Sequence, residues 1–189
     1  MQYKTHLSTS LVVALPVMGA TNTLTIGTVL AVGLGAVFPD IDEPHSWIGS
    51  RTRGISDLIK GFFGHRGLTH SLMGLFIVFL TMVLMVSFTP FSPVIGLYFI
   101  LGYLLHLVGD SFSKSGVKWL LPFSDKAFQS GLGVVYYKTG FLAERIIFIV
   151  SMLLLVAQVR ALNFESLFNL NIVQAISNVI KNATSFIGS

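Results

Sequence analysis

Five apolar stretches constrain what this chain can fold into: Leu7 to Ala20, Leu24 to Phe38, Leu72 to Phe88, Val94 to Val108 and Phe141 to Val159. The last three are each long enough for a transmembrane helix, since about 20 residues at 1.5 Å rise cross a hydrocarbon core of about 30 Å. The first two are shorter, and Thr21-Asn22-Thr23 separates them with a polar break. The 189 residues are 53% hydrophobic and 11% charged, with a mean hydropathy of +0.78. That is more apolar side chain than one domain core hides, so the surplus must face lipid. Residues 4 to 20 imitate a signal peptide, but Pro16 interrupts the apolar region and Met18 stands where a small residue is wanted before cleavage.

Charge placement predicts the topology. Segment 39–70 carries Arg51, Arg53, Lys60 and Arg66, segment 110–140 carries Lys114, Lys118, Lys126 and Lys138, and the connection 88–93 carries none. By the positive-inside rule both rich segments are cytoplasmic. A hairpin over residues 7–38 brings Lys4 to that side too, whereas one long helix would leave it outside. The expectation is an all-α, multi-pass membrane protein of about five membrane helices, the first two forming a short hairpin, with the N-terminus inside. Two amphipathic segments are expected to lie on the membrane surface. One has Ile55, Leu58, Ile59 and Phe62 among Arg53, Asp57 and Lys60; the other runs from Asn163 to Ile187, with Phe164, Leu167, Phe168 and Ile172 at helical spacing. Residues 1–160 are read as the membrane-embedded domain and 161–189 as an appended interfacial helix. The net charge of +4, with no basic run, points to membrane lipids as partners and away from nucleic acid. With no cysteine present, any metal must be held by His, Asp or Glu.

The ionisable residues gather at the ends of these stretches. His6 opens the first; Asp40 and Asp42 close the second; His65 and His70 precede the third; His106 and Asp110 end the fourth, four residues apart on one helical face. In the hairpin topology all these ends meet at one membrane face. A His or Asp at a span end is more often a hydrated interface residue, and His45 keeps that reading. His106 resists it, because an unpaired polar group inside an apolar span is costly. Imidazole and carboxylate suit Zn, Mn or Fe, and seven candidate ligands exceed one tetrahedral site, which points to two ions. Two-metal centres activate water near neutral pH and clamp both oxygens of a phosphoester. Arg66 is positioned to hold phosphate bidentately; Arg51 and Arg53 read more readily as topology and headgroup charges. No phosphate loop and no serine nucleophile elbow is present. The segment Ser113 to Phe123 reads as a membrane-surface loop anchored by Trp119, with a headgroup-binding lip as the alternative.

At these residues a likeness emerges. His6, Phe38-Pro39-Asp40-Ile41-Asp42, Gly64-His65-Arg66-Gly67-Leu68-Thr69-His70-Ser71, His106-Leu107-Val108-Gly109-Asp110 and Gly116-Val117-Lys118-Trp119-Leu120-Leu121-Pro122-Phe123 together resemble the YdjM-like family of LexA-regulated bacterial inner-membrane proteins. The resemblance implies a metal-dependent hydrolase. A more distant likeness, to the zinc-dependent phospholipase C and P1 nuclease group, implies a phosphoester substrate. The combined expectation is a phospholipase-like hydrolase at the cytoplasmic membrane face, acting on a phospholipid or lipid-linked phosphate. Its metal ligands are His6, Asp40, Asp42, His70, His106 and Asp110; His65 is a seventh ligand or a general acid/base, and Arg66 acts beside it in catalysis. The cofactor is a divalent ion, two in number, Zn first and Mn, Fe or Mg otherwise. The alternatives are a metal-binding transporter or regulatory protein, and a structural protein whose histidines sense pH.

Overall fold

The computed structural model describes residues 1–64 and 66–161. Among them are six α-helices and no strand: α1 (Tyr3–Ala20), α2 (Ile26–Val37), α3 (Arg53–Phe63), α4 (Leu72–Phe88), α5 (Pro93–Ser111) and α6 (Leu142–Ala161). Two short 3-10 turns, Phe38–Asp42 and Leu68–His70, lead out of α2 and into α4. The expected C-terminal interfacial helix lies outside the described residues.

The break between the first two stretches folds as a tight turn. Asn22 takes a left-handed φ of 52°, and Thr25 caps α2 by accepting from Thr28 N–H while Thr28 returns a bond to Thr25 N–H. The turn end packs on the start of α5, where Thr23 and Tyr98 hydroxyls lie 2.6 Å apart. The open end, with the start of α1 and the exit of α2, reaches the far end of α5. Residues 7–38 thus form two antiparallel helices and not one long one.

α2 and α5 cross closely because glycine stands on both sides. A Cβ on Gly35 would collide with the Phe99 carbonyl, and one on Gly102 with the Val32 carbonyl. Ala14, Leu15, Met18, Ala31, Val32 and Tyr98 form the buried core of this three-helix contact. α6 runs beside α1, joined by polar contacts along its length. Ser8 and Ser151 hydroxyls are 2.6 Å apart, Gln158 donates to the Val12 carbonyl at 3.0 Å, and Gln2 N–H donates to Glu144. The outward faces of α4 and α6 are apolar and exposed, including Phe76, Leu80 and Leu84 on α4 and Ile146, Val150 and Leu153 on α6.

Two of the five expected spans, α5 and α6, are long and apolar enough to cross a bilayer. α4 is apolar but has 17 residues, and α2 has 12. At 1.5 Å per residue these reach about 25 Å and about 18 Å, short of a hydrocarbon core of about 30 Å. The amphipathic segment at 53–63 is helical, as expected. Its Ile55, Leu58 and Phe62 are exposed, while Ser56 is turned inward.

Candidate metal centre

Four separate segments deliver the polar cluster at the open end of the bundle. His6 lies on the first turn of α1, Asp40 and Asp42 in the turn after α2, His70 in the turn before α4, and His106 and Asp110 one helical turn apart at the end of α5. The His6 and His106 rings stack with centroids 3.7 Å apart and 13° between planes. Nε2 of His106 faces Nε2 of His70 at 3.2 Å and lies 3.8 Å from Asp40 Oδ1 and 4.0 Å from Asp110 Oδ2. Asp110 Oδ1 is 3.2 Å from His6 Nε2, and Asp40 Oδ1 is 3.5 Å from His70 Nε2. Two overlapping sets result, His6 with His106 and Asp110, and Asp40 with His70 and His106, each with ligand atoms within 4.8 Å of one another.

The tautomers follow from the neighbours. Nδ1 of His106 lies 2.7 Å from the Ala36 carbonyl, which only accepts, so Nδ1 holds the proton and Nε2 presents a lone pair. Nδ1 of His70 likewise donates to Asp42 Oδ2 at 3.0 Å, which directs its Nε2 to the same point. Two lone pairs 3.2 Å apart, flanked by two carboxylates, call for a positive charge between them. Nδ1 of His6 is buried without a hydrogen bond, and its Nε2 faces the Asp110 carboxylate across 3.2 Å, a pairing that suits a ligand. A divalent ion fits this donor set. A proton on His70 answers the same demand: burial opposes it, but Asp40 and Asp42 outweigh burial and push its pKa up to about 9. Burial also works against a charge on Asp40, yet His106, His70 and His6 hold its carboxyl at about 2.

His106 belongs to both sets and has only Nε2 to give, so the sets are one centre and not two independent sites. Asp42, expected as a ligand, belongs to neither set; its carboxylate turns to His70 Nδ1 and accepts from the Thr69 hydroxyl at 2.6 Å. This is the carboxylate–histidine arrangement that orients a metal ligand from behind. In this 3-10 turn the two carboxylates face opposite nitrogens of His70. Arg66 adopts a left-handed φ of 55° and places Nη2 2.9 Å from Asp110 Oδ2. His65 lies outside the described residues. His45, Arg51 and Arg53 are exposed and outside the cluster.

Several supporting groups carry no sequence signal. The Ser113 and Ser115 hydroxyls accept from Arg66 Nη1, so the loop after α5 helps hold the arginine. Tyr137 donates to Asp110 Oδ1 at 3.1 Å and to the Gly109 carbonyl at 3.0 Å. Tyr103 ties α5 to the His70 turn through the Thr69 carbonyl at 2.5 Å. Asp40 and Arg66 both open onto a polar cavity of about 780 Å³, whose rim includes Lys4, Trp47 and Arg51.

The chain is 42% identical to Inner membrane protein YdjM of Escherichia coli K12 over 90 residues, covering 47% of this chain and 46% of that protein, and equally to its Shigella flexneri counterpart. The matched region is thus about half the length of these curated relatives. It is also 30% identical to Uncharacterized protein YvsG of Bacillus subtilis over 114 residues, 60% of this chain and 66% of that protein. No solved structure matches with significance, so the likeness to the phospholipase C and P1 nuclease group gains no support there. The model of the YdjM inner membrane protein family matches residues 1–180, and the chain belongs to that family of membrane proteins.

Proposed function

We propose that this protein is a membrane-embedded, metal-dependent hydrolase that cleaves a phosphoester of a phospholipid or lipid-linked substrate at the cytoplasmic face of the bacterial inner membrane. The observation that carries the proposal is the convergence of imidazole lone pairs and carboxylates from four segments at one end of the bundle, beside an arginine and a polar cavity. All five long helices cross or enter the membrane in this reading, the shorter ones by local thinning or by packing against neighbours. The loops rich in Arg and Lys lie at the end that carries the centre, consistent with a cytoplasmic site.

His6, Asp40, His70, His106 and Asp110 would hold the metal, while Asp42 fixes the His70 ring. A divalent ion bound there supplies Lewis acidity and lowers the pKa of water. These groups would hold one or two ions, with Zn the first choice, then Mn, Fe or Mg. Arg66 has five N–H donors, so while it contacts Asp110 and two serines it can still meet a phosphate oxygen in the cavity. His65 keeps its two expected roles, further ligand or general acid/base.

The test is release of headgroup or phosphate from phospholipid vesicles by the purified, metal-supplied protein. His106→Ala is expected to lose both metal and activity. Arg66→Ala should keep the metal and lose about 10²-fold in rate, the usual effect of removing one preorganised donor. Metal-loaded protein that hydrolyses no phospholipid or lipid phosphate, yet carries metal into sealed vesicles, would replace this reading with the transport alternative.

A further inference from the structure

On the side of the His70 turn away from the polar cavity, the structure holds a second space of about 420 Å³ between α3, α4 and α5. Gly74, Ile77, Val78, Thr81 and Met82 of α4 line it at spacings of three and four, a single helical face turned toward Phe99 and Tyr103 of α5. Such a face is normally filled by its partner helix. Here only Gly74 of α4 is buried, held close to Tyr103, and further along α4 Met82 comes close to Gly96 of α5. Between these two points the space runs along eight residues of α4, about 12 Å at 1.5 Å per residue. The Thr81 hydroxyl bonds back to the Ile77 carbonyl at 2.9 Å, so the groove presents no unpaired hydroxyl there.

We infer that this groove seats one hydrocarbon chain of a membrane lipid. Its lining is continuous with the lipid-facing surface: Ile77 and Phe63 line it and stay 47% and 53% exposed, next to the exposed apolar face of α4. Its other end abuts the metal centre, because Thr69 lines the groove and donates to Asp42, which holds His70. Water fills so apolar a space poorly, whereas a lipid chain from the adjoining bilayer enters it without leaving a hydrocarbon medium. Resting on the hydrolase reading, the inference makes the substrate a lipid gripped by its chain on one side of the His70 turn, with its polar head in the cavity beside Asp40 and Arg66 on the other.

The experiment reconstitutes the full chain in phosphatidylglycerol vesicles doped with a phospholipid whose acyl chain carries a diazirine, with a diazirine-bearing prenyl phosphate as a second arm, and maps the cross-links. Labelling of wild-type protein at Val78, Thr81, Phe99 or Tyr103 is expected. Val78→Trp and Thr81→Trp, made singly, should each fill the groove and cut that labelling about tenfold, while metal content stays unchanged. Labelling confined to the outward faces of α4 and α6, unaltered by either variant, overturns the inference. The arm that labels more strongly identifies the chain as acyl or prenyl. Metal content and hydrolysis by the same wild-type preparation are read separately. Groove labelling without metal contradicts only the hydrolase reading, and metal-dependent hydrolysis without groove labelling contradicts only this inference.

Discussion

At the residue scale, His70 is set by two carboxylates acting on opposite nitrogens. Asp42 takes the Nδ1 proton, and Asp40 faces Nε2. Asp42→Asn should leave the ring in place but remove its basicity and its fixed tautomer, weakening metal binding by 10–100-fold, as loss of an outer-sphere carboxylate commonly does; titration with a chelator-buffered metal measures it. The same pair sets the pH response. The His70 pKa is raised to about 9 from 6.5, so its contribution to the stability of the metal-free protein is complete below pH 6.5 and lost as pH rises through 9. Asp40, lowered to about 2 from 3.8, contributes above pH 3.8 and loses its effect as pH falls through 2. The contribution of this pair to the thermal stability of the metal-free protein should therefore be fullest between about pH 4 and 6.5. Metal competes with the His70 proton, so apparent affinity should climb from pH 6.5 toward 9. Thermal melts with and without Zn across this range check both slopes; parallel curves would argue against a shared site. The i, i+4 spacing of His106 and Asp110 made that pair legible from the sequence. The roles of Ala36, Thr69, Ser113 and Tyr137 were not, because a carbonyl or hydroxyl that supports a ligand leaves no spacing to read.

At the scale of elements, the centre depends on α2 and α5 crossing closely enough to bring Asp40 within reach of His106. Gly35 and Gly102 make that possible. Gly102→Leu should push the helices apart at a cost of about 1–3 kcal/mol and loosen the Asp40 and His106 half of the centre, seen as weaker metal binding with helix content retained by circular dichroism. The hairpin of α1 and α2 matters equally, since it returns His6 and Asp40 to the same end. Its turn was readable in Thr21-Asn22-Thr23, and the boundaries of α4 match its apolar stretch, because hydropathy and helix ends coincide where no tertiary contact overrides them. The divergent aim of Asp40 and Asp42 was not readable, since it depends on the 3-10 geometry that Pro39 starts after α2. A cysteine at Asn22 in the intact cell should label from outside the inner membrane; labelling from the cytoplasm would break the proposed topology and separate His6 from a cytoplasmic site.

For the whole molecule, one end is polar and buried while the flanks are apolar and exposed. That division suits a protein whose sides face lipid and whose chemistry sits at the boundary. Family membership places the chain among membrane proteins, and its His and Asp cluster offers groups that could hold a metal ion. Whereas the lipid groove stands apart from it, the hydrolase reading depends on a metal ion being held there. Metal analysis of gently purified full-length protein, wild type beside His106→Ala, tests it most directly. About one or two transition-metal ions per chain are expected in the wild type, lost in the variant while helix content is kept. Wild-type protein that carries none after supply of Zn and Mn, or a His106→Ala variant that binds as much, would contradict it.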